Sequence, residues 1–453
     1  MSVQSAQQPS AAAEAPSALT YAWYVVAVLT AAYLLSLIDR ILIGLLVEPI
    51  KADMLLADTQ IGLLVGFGFV LFYSTLGVPL GSLADSSNRR NLIAAGITVW
   101  SLATVACGLA TNFTSLLIAR MMVGAGEATL FPCAISTFSD RFPREKLGLA
   151  MSIFSFGALA GMGLAMAGGG ELVRWAATIG SVEWLGFTLA GWRLVFVVIG
   201  LVGIPVALLV LTTVREAPRL TTPAVAPPFR DLIRAIASHR RAYFGLFAGF
   251  GAQVLSTYIP MTWAAAYYQR TFGLTPQVIG WSLGFIFAVC GGIGLVIGGR
   301  WSDKRASRGV IDSPAEVLMW SIPMQLPLIC IAFLVQSPTA SLIALGILLI
   351  VASMYGGLQG TIVRLMSPAG MQGRLMALYL LIVTIVGMGC GPLIVGALSD
   401  RVYTGQWALG QAVTTTMAAA VTVAGSILVF TRPAMRAVMQ QILDRELQTR
   451  RSL

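Results

Sequence analysis

Charged residues and histidine are scarce in this sequence. Lys, Arg, Asp and Glu make up 11% of the 453 residues, hydrophobic residues make up 57%, and His239 is the one histidine. This composition does not match a soluble domain, and it leaves little equipment for catalysis or metal binding. The five cysteines fall inside apolar stretches at no metal-ligand spacing: Cys107, Cys133, Cys290, Cys330 and Cys390. We therefore expect no enzyme, no metal site and no cofactor.

Long apolar runs dominate the rest of the chain. Runs of about 20 residues, the length that a helix needs to cross a bilayer, recur from one end to the other. The twelve runs cover residues 23–47, 60–84, 91–110, 113–139, 147–172, 192–213, 242–268, 277–298, 316–335, 340–363, 375–398 and 409–430. The sequence therefore predicts an all-α membrane protein with twelve transmembrane helices.

The distribution of basic residues predicts how the helices are oriented. Most of the 29 Lys and Arg residues fall on the side that carries both chain termini. On the opposite side lie Lys51, Arg174, Arg193, Arg270 and Arg401. The positive-inside rule places both termini in the cytoplasm of a multi-pass plasma membrane protein, with a bacterial inner membrane as the expected location. The net charge of +10 fits contact with anionic membrane lipids and is not interpreted as nucleic-acid binding.

A hydrophilic interruption at 214–241 divides the twelve runs into two sets of six. We expect one six-helix bundle over 21–213 and a second over 242–432, flanked by a disordered cytoplasmic tail at 1–20 and a cytoplasmic tail at 433–453. Within the interruption, apolar residues recur at helical spacing against arginines, which predicts a short amphipathic helix on the inner membrane surface. These residues are Phe229, Leu232, Ile233 and Ile236, with Arg230, Arg234 and Arg240. A solvated tether is an equal alternative.

Short motifs repeat at a spacing of about 220 residues. GSLAD at 81–85 ends the second run, GRWSD at 299–303 ends the eighth, and basic residues follow both. Gly-Met-Gly at 161–163 recurs at 387–389, in the fifth and eleventh runs. Parallel repeats of this kind are the architecture of a large class of secondary transporters.

The first of these motifs resembles the loop signature of the major facilitator superfamily. The matching residues are Gly81, Leu83, Ala84, Asp85, Arg89 and Arg90, with a weaker copy that ends at Asp303. The resemblance implies two pseudo-symmetric six-helix bundles that work by alternating access. It also implies gating roles for Gly81, Asp85, Arg89, Arg90 and Asp303. Asp85 at a helix end can accept hydrogen bonds from the first amides of another helix or pair with an arginine; a polar loop anchor is the alternative.

Four ionisable residues interrupt the apolar runs: Asp39 and Arg40 in the first, and Arg120 and Glu127 in the fourth. A charge near the centre of a bilayer costs a few kcal/mol or more, so such residues face a partner, a bundle interior or a water-filled cavity. At a rise of about 1.5 Å per residue the four lie in one layer, and Arg120 and Glu127 project from the same face. We therefore expect the functional site here.

These residues also resemble the marks of the spinster family of lipid transporters. That family carries an aspartate-arginine pair on its first helix and a glycine-glutamate-alanine run on its fourth. Asp39-Arg40 and Gly126-Glu127-Ala128 match the two marks. The resemblance implies movement of lysophospholipid-like or sphingoid amphiphiles, with proton coupling.

Glu127 and Asp39 are the predicted proton-coupling residues. Burial favours the protonated carboxyl group of Glu127, and a neighbouring Arg40 or Arg120 favours the carboxylate, so Glu127 can act as a proton switch. Protonation would free the arginine to hold an anionic headgroup. A permanently closed ion-pair network between the two helices is the alternative.

Substrate contacts are predicted in both halves of the chain. Arg40, Arg120 and Glu127 are the candidates in the first half. Those in the second half are polar or aromatic: Gln253, Tyr258, Trp263, Gln325, Tyr355, Gln359 and Tyr379. A cavity that is charged on one side and apolar on the other suits an amphiphile with a polar head and a long tail. The sequence therefore predicts a monomeric, proton-coupled secondary transporter of such a substrate; a proton symporter for small organic acids and a drug/proton antiporter are the alternatives.

Overall fold

Nearly all of the described chain is helical. The computed structural model describes residues 16–184, 187–216, 229–368 and 370–451. Within these ranges, eleven helices are long and apolar enough to cross a membrane. One further long helix, seventh in the chain, is less apolar, with Gln253, Ser256 and Thr257 near its middle. Together they make twelve membrane helices, α1 to α12, which confirms the all-α prediction.

Six of these helices form the first half. Their bounds are Pro16–Leu45 (α1), Asp58–Gly62, the π-helical turn Leu63–Phe67 and Gly68–Ser86 (α2), Arg89–Leu109 (α3), Phe113–Glu127 and Leu130–Arg141 (α4), Arg144–Ile179 (α5), and Gly191–Thr213 (α6). A short helix, Val47–Met54, lies between α1 and α2. An antiparallel hairpin of β1 (Val182–Trp184) and β2 (Phe187–Leu189) lies between α5 and α6.

The other six helices form the second half. Their bounds are Arg240–Phe244, the π-helical turn Gly245–Gly249 and Phe250–Phe272 (α7), Pro276–Phe285, the π-helical turn Ile286–Cys290 and Gly291–Ala306 (α8), Ser313–Leu334 (α9), Pro338–Ser353, the 3-10 turn Gly356–Leu358 and Gln359–Leu365 (α10), Gln372–Thr384, the π-helical turn Ile385–Cys390 and Gly391–Arg401 (α11), and Ala408–Arg451 (α12). A short helix, Phe229–Ser238, precedes α7; its Leu232 is fully buried and its Ile233 is exposed.

The amino-terminal boundary differs from the prediction. α1 begins at Pro16, so residues 16–20, predicted to belong to a disordered tail, are helical. Proline suits the first turn of a helix because the amide that it lacks would have no partner there. Residues 1–15 of the predicted tail and residues 217–228 of the predicted linker lie outside the described residues.

The predicted carboxyl-terminal tail is helical wherever the structure describes it. α12 continues to Arg451, so residues 433–451 of the predicted tail extend the last membrane helix, and residues 452–453 lie outside the described residues. Met435, Val438 and Met439 recur at helical spacing in this extension, and all three are buried. An amphipathic extension of this kind escapes a search for continuous apolar runs.

Glycines let the two halves touch at one end of the bundle. We call the end that carries both chain termini the terminal face and the other end the distal face. A methyl group on Gly66 of α2 would lie 2.7 Å from the Gly389 carbonyl oxygen of α11. One on Gly170 of α5 would lie 2.5 Å from the Pro276 carbonyl oxygen of α8. Backbones approach this closely only where side chains are absent, and both contacts lie in the distal part of the bundle.

Toward the terminal face, two glycines of the same helices have no close neighbour. Gly77 lies about three turns from Gly66 on the same side of α2, and a methyl group added there would meet no described atom within 4 Å. A methyl group added to Gly148, in the terminal part of α5, would likewise meet no described atom within 4 Å. Among the described residues, the close backbone contacts at Gly66 and Gly170 between the halves therefore lie in the distal part of the bundle, and Gly77 and Gly148 make no such contact toward the terminal face.

The substitution Gly96→Ala should destabilise the first half. Gly96 of α3 faces α4, where an added methyl group would overlap the Thr129 hydroxyl group. Overpacking of this kind costs about 1–3 kcal/mol, so the thermal midpoint of the protein in detergent should fall. Gly373→Ala on α11 is the control, because its methyl group would meet no described atom within 4 Å. Equal melting of the two variants would contradict the packing described for α3 and α4.

Candidate functional site

The four buried charges meet between α1 and α4 as two crossed ion pairs. Arg40 Nη2 lies 2.6 Å from Glu127 Oε2, and Arg120 Nη1 lies 3.3 Å from Asp39 Oδ1. Each helix contributes one acid and one base, so the charges cancel within the layer. The sequence offers Arg40 and Arg120 as neighbours of Glu127, with contact to Arg40 the expectation on which the proton switch rests, and the structure pairs Glu127 with Arg40.

Glycines on α4 bury Glu127. Gly126 packs against the backbone of α3, where a methyl group would lie 2.7 Å from the Trp100 amide nitrogen. Gly124 packs against the Phe69 carbonyl group of α2, and a methyl group would collide with it. Because three backbones approach so closely, the Glu127 side chain has no exposed surface. The Gly-x-Gly-Glu spacing thus places the carboxylate in a site enclosed by protein.

The Asp39 and Arg120 pair lies inside the first half. Arg120 is 0% exposed and Asp39 is 1% exposed. Thr104 of α3 donates a hydrogen bond to Asp39 Oδ2 at 2.5 Å, so this carboxylate has partners on both α3 and α4. A buried ion pair offsets its desolvation only when further hydrogen bonds satisfy its atoms, which is the part Thr104 plays. The pair therefore ties together three helices of the first half.

Aromatic rings surround the Arg40 guanidinium group. Its Cζ lies 4.6 Å from the ring centre of Tyr73 and 4.8 Å from that of Phe69, both on α2. Rings at these distances stabilise a cation. Tyr258 of α7 lies within electrostatic range of the same group, so the site also involves the second half. Sequence reasoning missed Phe69 and Tyr73, although their spacing of four residues places them on one helix face.

The two ion pairs leave hydrogen-bonding capacity unused. Among the described residues, no group bonds Arg40 Nε, Glu127 Oε1, or Nε and Nη2 of Arg120, although all four atoms are buried. Buried polar atoms without a partner are uncommon in folded proteins and point to a ligand, a water or an alternative pairing. The Arg40 side chain keeps 12% of its surface exposed, whereas Glu127 keeps none. Arg40 is therefore the more solvent-accessible member of its pair.

The amides predicted to contact substrate lie within the second half. Gln253 of α7 donates to Gln325 of α9 at 3.0 Å, and both side chains are fully buried. Trp263, also fully buried, donates its ring N–H to the Pro392 carbonyl oxygen of α11 at 3.2 Å. These side chains pack helices of the second half together, and the structure does not bring them to the four charges.

The remaining predicted residues form an aromatic cluster in the same half. Tyr379 of α11 donates to Gln359 of α10 at 3.1 Å. The ring of Phe250 lies 6.3 Å from those of Tyr355 and Tyr379. Of the candidates in the second half, Tyr258 is the one that the structure places within electrostatic range of Arg40.

Arg89 is the centre of a network at the terminal face of the first half. It donates to Asp140 at 2.5 Å and to Glu216 at 2.8 Å, and the Arg90 amide donates to Glu216 at 3.0 Å. Burial raises the pKa of Glu216, but the Arg90 amide and the Arg89 guanidinium group outweigh it and hold that pKa below its usual value. Glu216 thus stays ionised at neutral pH, and the network joins the start of α3 to α4 and to the end of α6.

The other predicted gating residues are arranged differently. Gly81 lies opposite Pro132 of α4, and the Asp85 side chain lies outside the part of the structure whose side chains are described. Asp303 is exposed at the end of α8, and no ion pair of its side chain occurs among the described residues. Instead, Asp312 at the start of α9 pairs with Arg432 of α12 at 2.5 Å. The repeated motif at 299–303 did not indicate this ion pair, because Asp312 and Arg432 both lie outside the motif.

Removing one member of the enclosed pair should destabilise the protein. Arg120→Gln leaves the Asp39 carboxylate buried beside a neutral side chain, at a cost of about 3–5 kcal/mol. The double variant Asp39→Asn with Arg120→Gln should recover most of the thermal midpoint, since no unpaired charge remains. Arg174→Gln, which breaks the exposed pair with Glu171, should leave the midpoint nearly unchanged. A double variant as unstable as Arg120→Gln would show that the pairing is not the cause.

Comparison with known proteins identifies a family. The Major Facilitator Superfamily model matches residues 29–362. An MFS-type efflux pump of Mycolicibacterium smegmatis is 28% identical over 88% of this chain and 90% of its own length. A hexuronate transporter of Bacillus subtilis is 27% identical over 68% of this chain and 72% of its own length. Human protein spinster homolog 1 is 29% identical over 56% of this chain and 48% of its own length.

A solved structure agrees with these relatives. It is a bacterial homologue of the human lysosomal transporter spinster, in an inward-facing and unoccupied conformation. Its TM-score is 0.74 at 27% identity, and the match covers 94% of this chain and 98% of that one. The family match spans more than half of the chain, and both predicted resemblances are confirmed. The chain therefore belongs to the major facilitator superfamily, as a secondary transporter and not an enzyme, and it resembles the spinster proteins.

Proposed function

We propose that this transporter moves an amphiphilic, lysophospholipid-like or sphingoid substrate and couples that movement to protons. The observation that carries the proposal is the Arg40 and Glu127 pair at 2.6 Å. Its acid is enclosed, its base is partly exposed, and each member has a buried atom without a partner among the described residues. An ion pair with spare capacity on both sides is suited to exchange one partner for another.

The exchange works through the protonation of Glu127. When Glu127 is ionised it holds Arg40, and the guanidinium group is occupied. When Glu127 takes up a proton the attraction is lost, and Arg40 can hold a phosphate or carboxylate with two parallel hydrogen bonds. The rings of Phe69 and Tyr73 stabilise the guanidinium group in either state. Proton uptake and headgroup binding are thereby linked at one residue.

Asp39 has a supporting part in this proposal. Its carboxylate pairs with Arg120 inside the first half and accepts a hydrogen bond from the Thr104 hydroxyl group. Arg120 Nε and Nη2 have no partner among the described residues, so two hydrogen-bond donors remain available in the same layer as Glu127. The Asp39 carboxylate neutralises the charge of Arg120, which leaves Arg40 as the group that the protonation of Glu127 releases.

An apolar surface suited to a substrate tail lies beside the charged layer. Phe131, four residues after Glu127 on α4, is 39% exposed. Its ring centre lies 6.2 Å from that of Tyr33 on α1 and 6.0 Å from that of Phe154 on α5. Charge at one end and aromatic rings at the other favour a molecule that has both characters.

We assign the faces of the bundle by the distribution of basic residues. The terminal face, with both chain ends, is placed in the cytoplasm, and the distal face is placed outside. On this assignment, the proposed state is open to the cytoplasm, and the proposed location is a bacterial inner membrane. The two bundles, 21–213 and 242–432, act within one monomer, and the basic terminal face contacts anionic lipid.

Two other substrate classes have a specific observation in their favour. A relative that matches most of this chain carries the name MFS-type efflux pump, which favours a drug/proton antiporter. Another carries the name hexuronate transporter, and Arg40 fits the carboxylate of a sugar acid as well as a phosphate. The apolar surface at Phe131 supports a substrate with an apolar part, as a lipid or a drug has, over a sugar acid, which has none.

Glu127→Gln should remove the dependence of headgroup binding on pH. In the unaltered protein, binding of a fluorescent lysophosphatidic acid should strengthen as pH falls, because protonation frees Arg40. The variant mimics the protonated state, so it should bind tightly at every pH and lose proton-driven transport in proteoliposomes by about tenfold or more. Glu183→Gln, an exposed residue of β1, is the matched control. Retention of the original pH profile by Glu127→Gln would refute the switch.

Phe131→Ala should discriminate between the substrate classes. Loss of the exposed ring should weaken binding of a long-chain lysolipid by about 1–3 kcal/mol and change binding of a hexuronate little. Competition against the fluorescent lysolipid by purified hexuronate, a cationic drug and unlabelled lysolipid gives the measurement. If hexuronate competes best and Phe131→Ala has no effect on it, the organic-acid class replaces the lipid-like one.

A further inference from the structure

A carboxylate of the second half caps a helix of the first half at the distal face. Asp400, at the end of α11, accepts hydrogen bonds from the backbone amides of Asp58 at 3.0 Å and Thr59 at 2.7 Å. It also accepts one from the Thr59 hydroxyl group at 2.6 Å. These are the first amides of α2, which have no partner within their own helix. A negative charge at this position satisfies the amides and complements the positive end of the helix dipole.

A second set of charges joins the halves at the same place. Arg270, at the end of α7, holds Asp58 with two nitrogen atoms at 2.6 and 2.7 Å and holds Glu48 with a third at 2.5 Å. Ser399 of α11 donates to Asp58 at 2.8 Å, and Lys51 pairs with it from within the first half. The Asp58 side chain is only 4% exposed despite lying at the end of the bundle. Both halves therefore contribute to one compact cluster.

The sequence around Asp400 repeats a pattern found at the opposite face. GALSD at 396–400 has the Gly-x-Leu-x-Asp form of GSLAD at 81–85. Gly396 packs directly on the Asp58 carbonyl group, so a side chain there would push α11 away from α2. The glycine allows the approach and the aspartate four residues later, on the same face, makes the cap. One copy lies at the terminal end of α2 and the other at the distal end of α11.

We propose that Asp400, with Arg270 and Asp58, is a latch that holds the distal face closed while the terminal face is open. Opening the distal face separates α11 from α2, which strips the cap from the first amides of α2 and parts Arg270 from Asp58. Water then replaces these partners, so the latch biases the equilibrium without preventing opening. The latch acts on the position of the two halves and depends neither on the substrate class nor on proton coupling.

The same face offers a matched control. Asp53, on the short helix after α1, pairs with Arg193 of α6 at 2.9 Å and accepts from the ring N–H of Trp192 at 3.1 Å. All three residues belong to the first half, so this pair moves as a unit when the halves separate. Breaking it removes an ion pair of similar exposure and leaves the contact between the halves intact.

The test measures the separation of the halves directly. Spin labels are attached at Thr111, in the distal loop of the first half, and at Gln336, in the distal loop of the second half, after the native cysteines have been replaced. Pulsed electron resonance distances are recorded for the full chain in lipid nanodiscs, without substrate and without a pH gradient. Asp400→Ala should raise the ratio of distal-open to distal-closed molecules roughly fivefold, as loss of a helix cap predicts. Asp400→Asn should act in the same direction with a smaller shift.

Two further variants make the result decisive. Arg270→Gln should also increase the distal-open population, and Asp53→Asn should leave it at the level of the unaltered protein. If Asp400→Ala does not fold, the distal-open populations of Asp400→Asn and Arg270→Gln test the latch in its place. Distances unchanged in both Asp400→Asn and Arg270→Gln, or shifted equally by Asp53→Asn, would overturn the latch. Because no substrate is present, this outcome is independent of the tests on Glu127 and Phe131.

Discussion

A charged side chain away from water needs a partner, and in this protein that requirement determines the arrangement of the first half. Asp39 and Arg40 are adjacent on α1, so they point in different directions and cannot satisfy each other. Each therefore pairs with a charge on α4, Asp39 with Arg120 and Arg40 with Glu127. The Asp39 and Arg120 pair is enclosed and joins the helices, whereas the Arg40 and Glu127 pair keeps one partly exposed member.

Close backbone contact is the second requirement, and glycine meets it at two levels. Within the first half, Gly124 and Gly126 let α4 approach α2 and α3, which buries Glu127. Between the halves, Gly66 and Gly170 let the helices touch near the distal face. The same residue type thus sets both the environment of the carboxylate and the contact that must separate during transport. α2 takes part in both kinds of contact, because it packs against α4 beside the site and against α11 of the other half.

The meeting of the four buried charges was predictable from the sequence, and their full pairing was not. Four ionisable residues in apolar runs, together with the rise of a helix, were enough to place Asp39, Arg40, Arg120 and Glu127 in one layer. Which arginine meets Glu127 depends on the rotation of α1 against α4. That rotation is set by contacts with α2 and α3, which a single sequence does not express. Gln253 shows the same dependence on neighbouring helices. Its polarity suggested that it lines a cavity, but its side chain bonds Gln325 of α9 instead.

Ends of helices were harder to predict than their middles. Hydropathy finds the apolar middle, but α12 continues to Arg451 because one face of it is buried, and hydropathy averages that face with its polar opposite. The repeat pointed to Asp303, which is exposed, while Asp312 makes the ion pair. GALSD at 396–400 lies at the other face from the motif that it resembles, outside the repeat that relates the two halves. Ion pairs at helix ends depend on which residues of other helices lie nearby, and a repeated sequence motif does not specify those residues.

The partial exposure of the charges at the distal face has an environmental consequence. The side chains of Lys51, Arg270 and Glu48 keep 23%, 21% and 31% of their surface in contact with solvent. Dissolved ions screen such charges over a length of about 8 Å at physiological ionic strength and about 3 Å at 1 M. The salinity of the medium on that side of the membrane therefore changes how firmly the two halves hold together there. The buried charges at the centre of the bundle are shielded from dissolved ions. A change in the salt concentration of the medium would therefore shift the ratio of distal-open to distal-closed molecules without changing the central ion pairs.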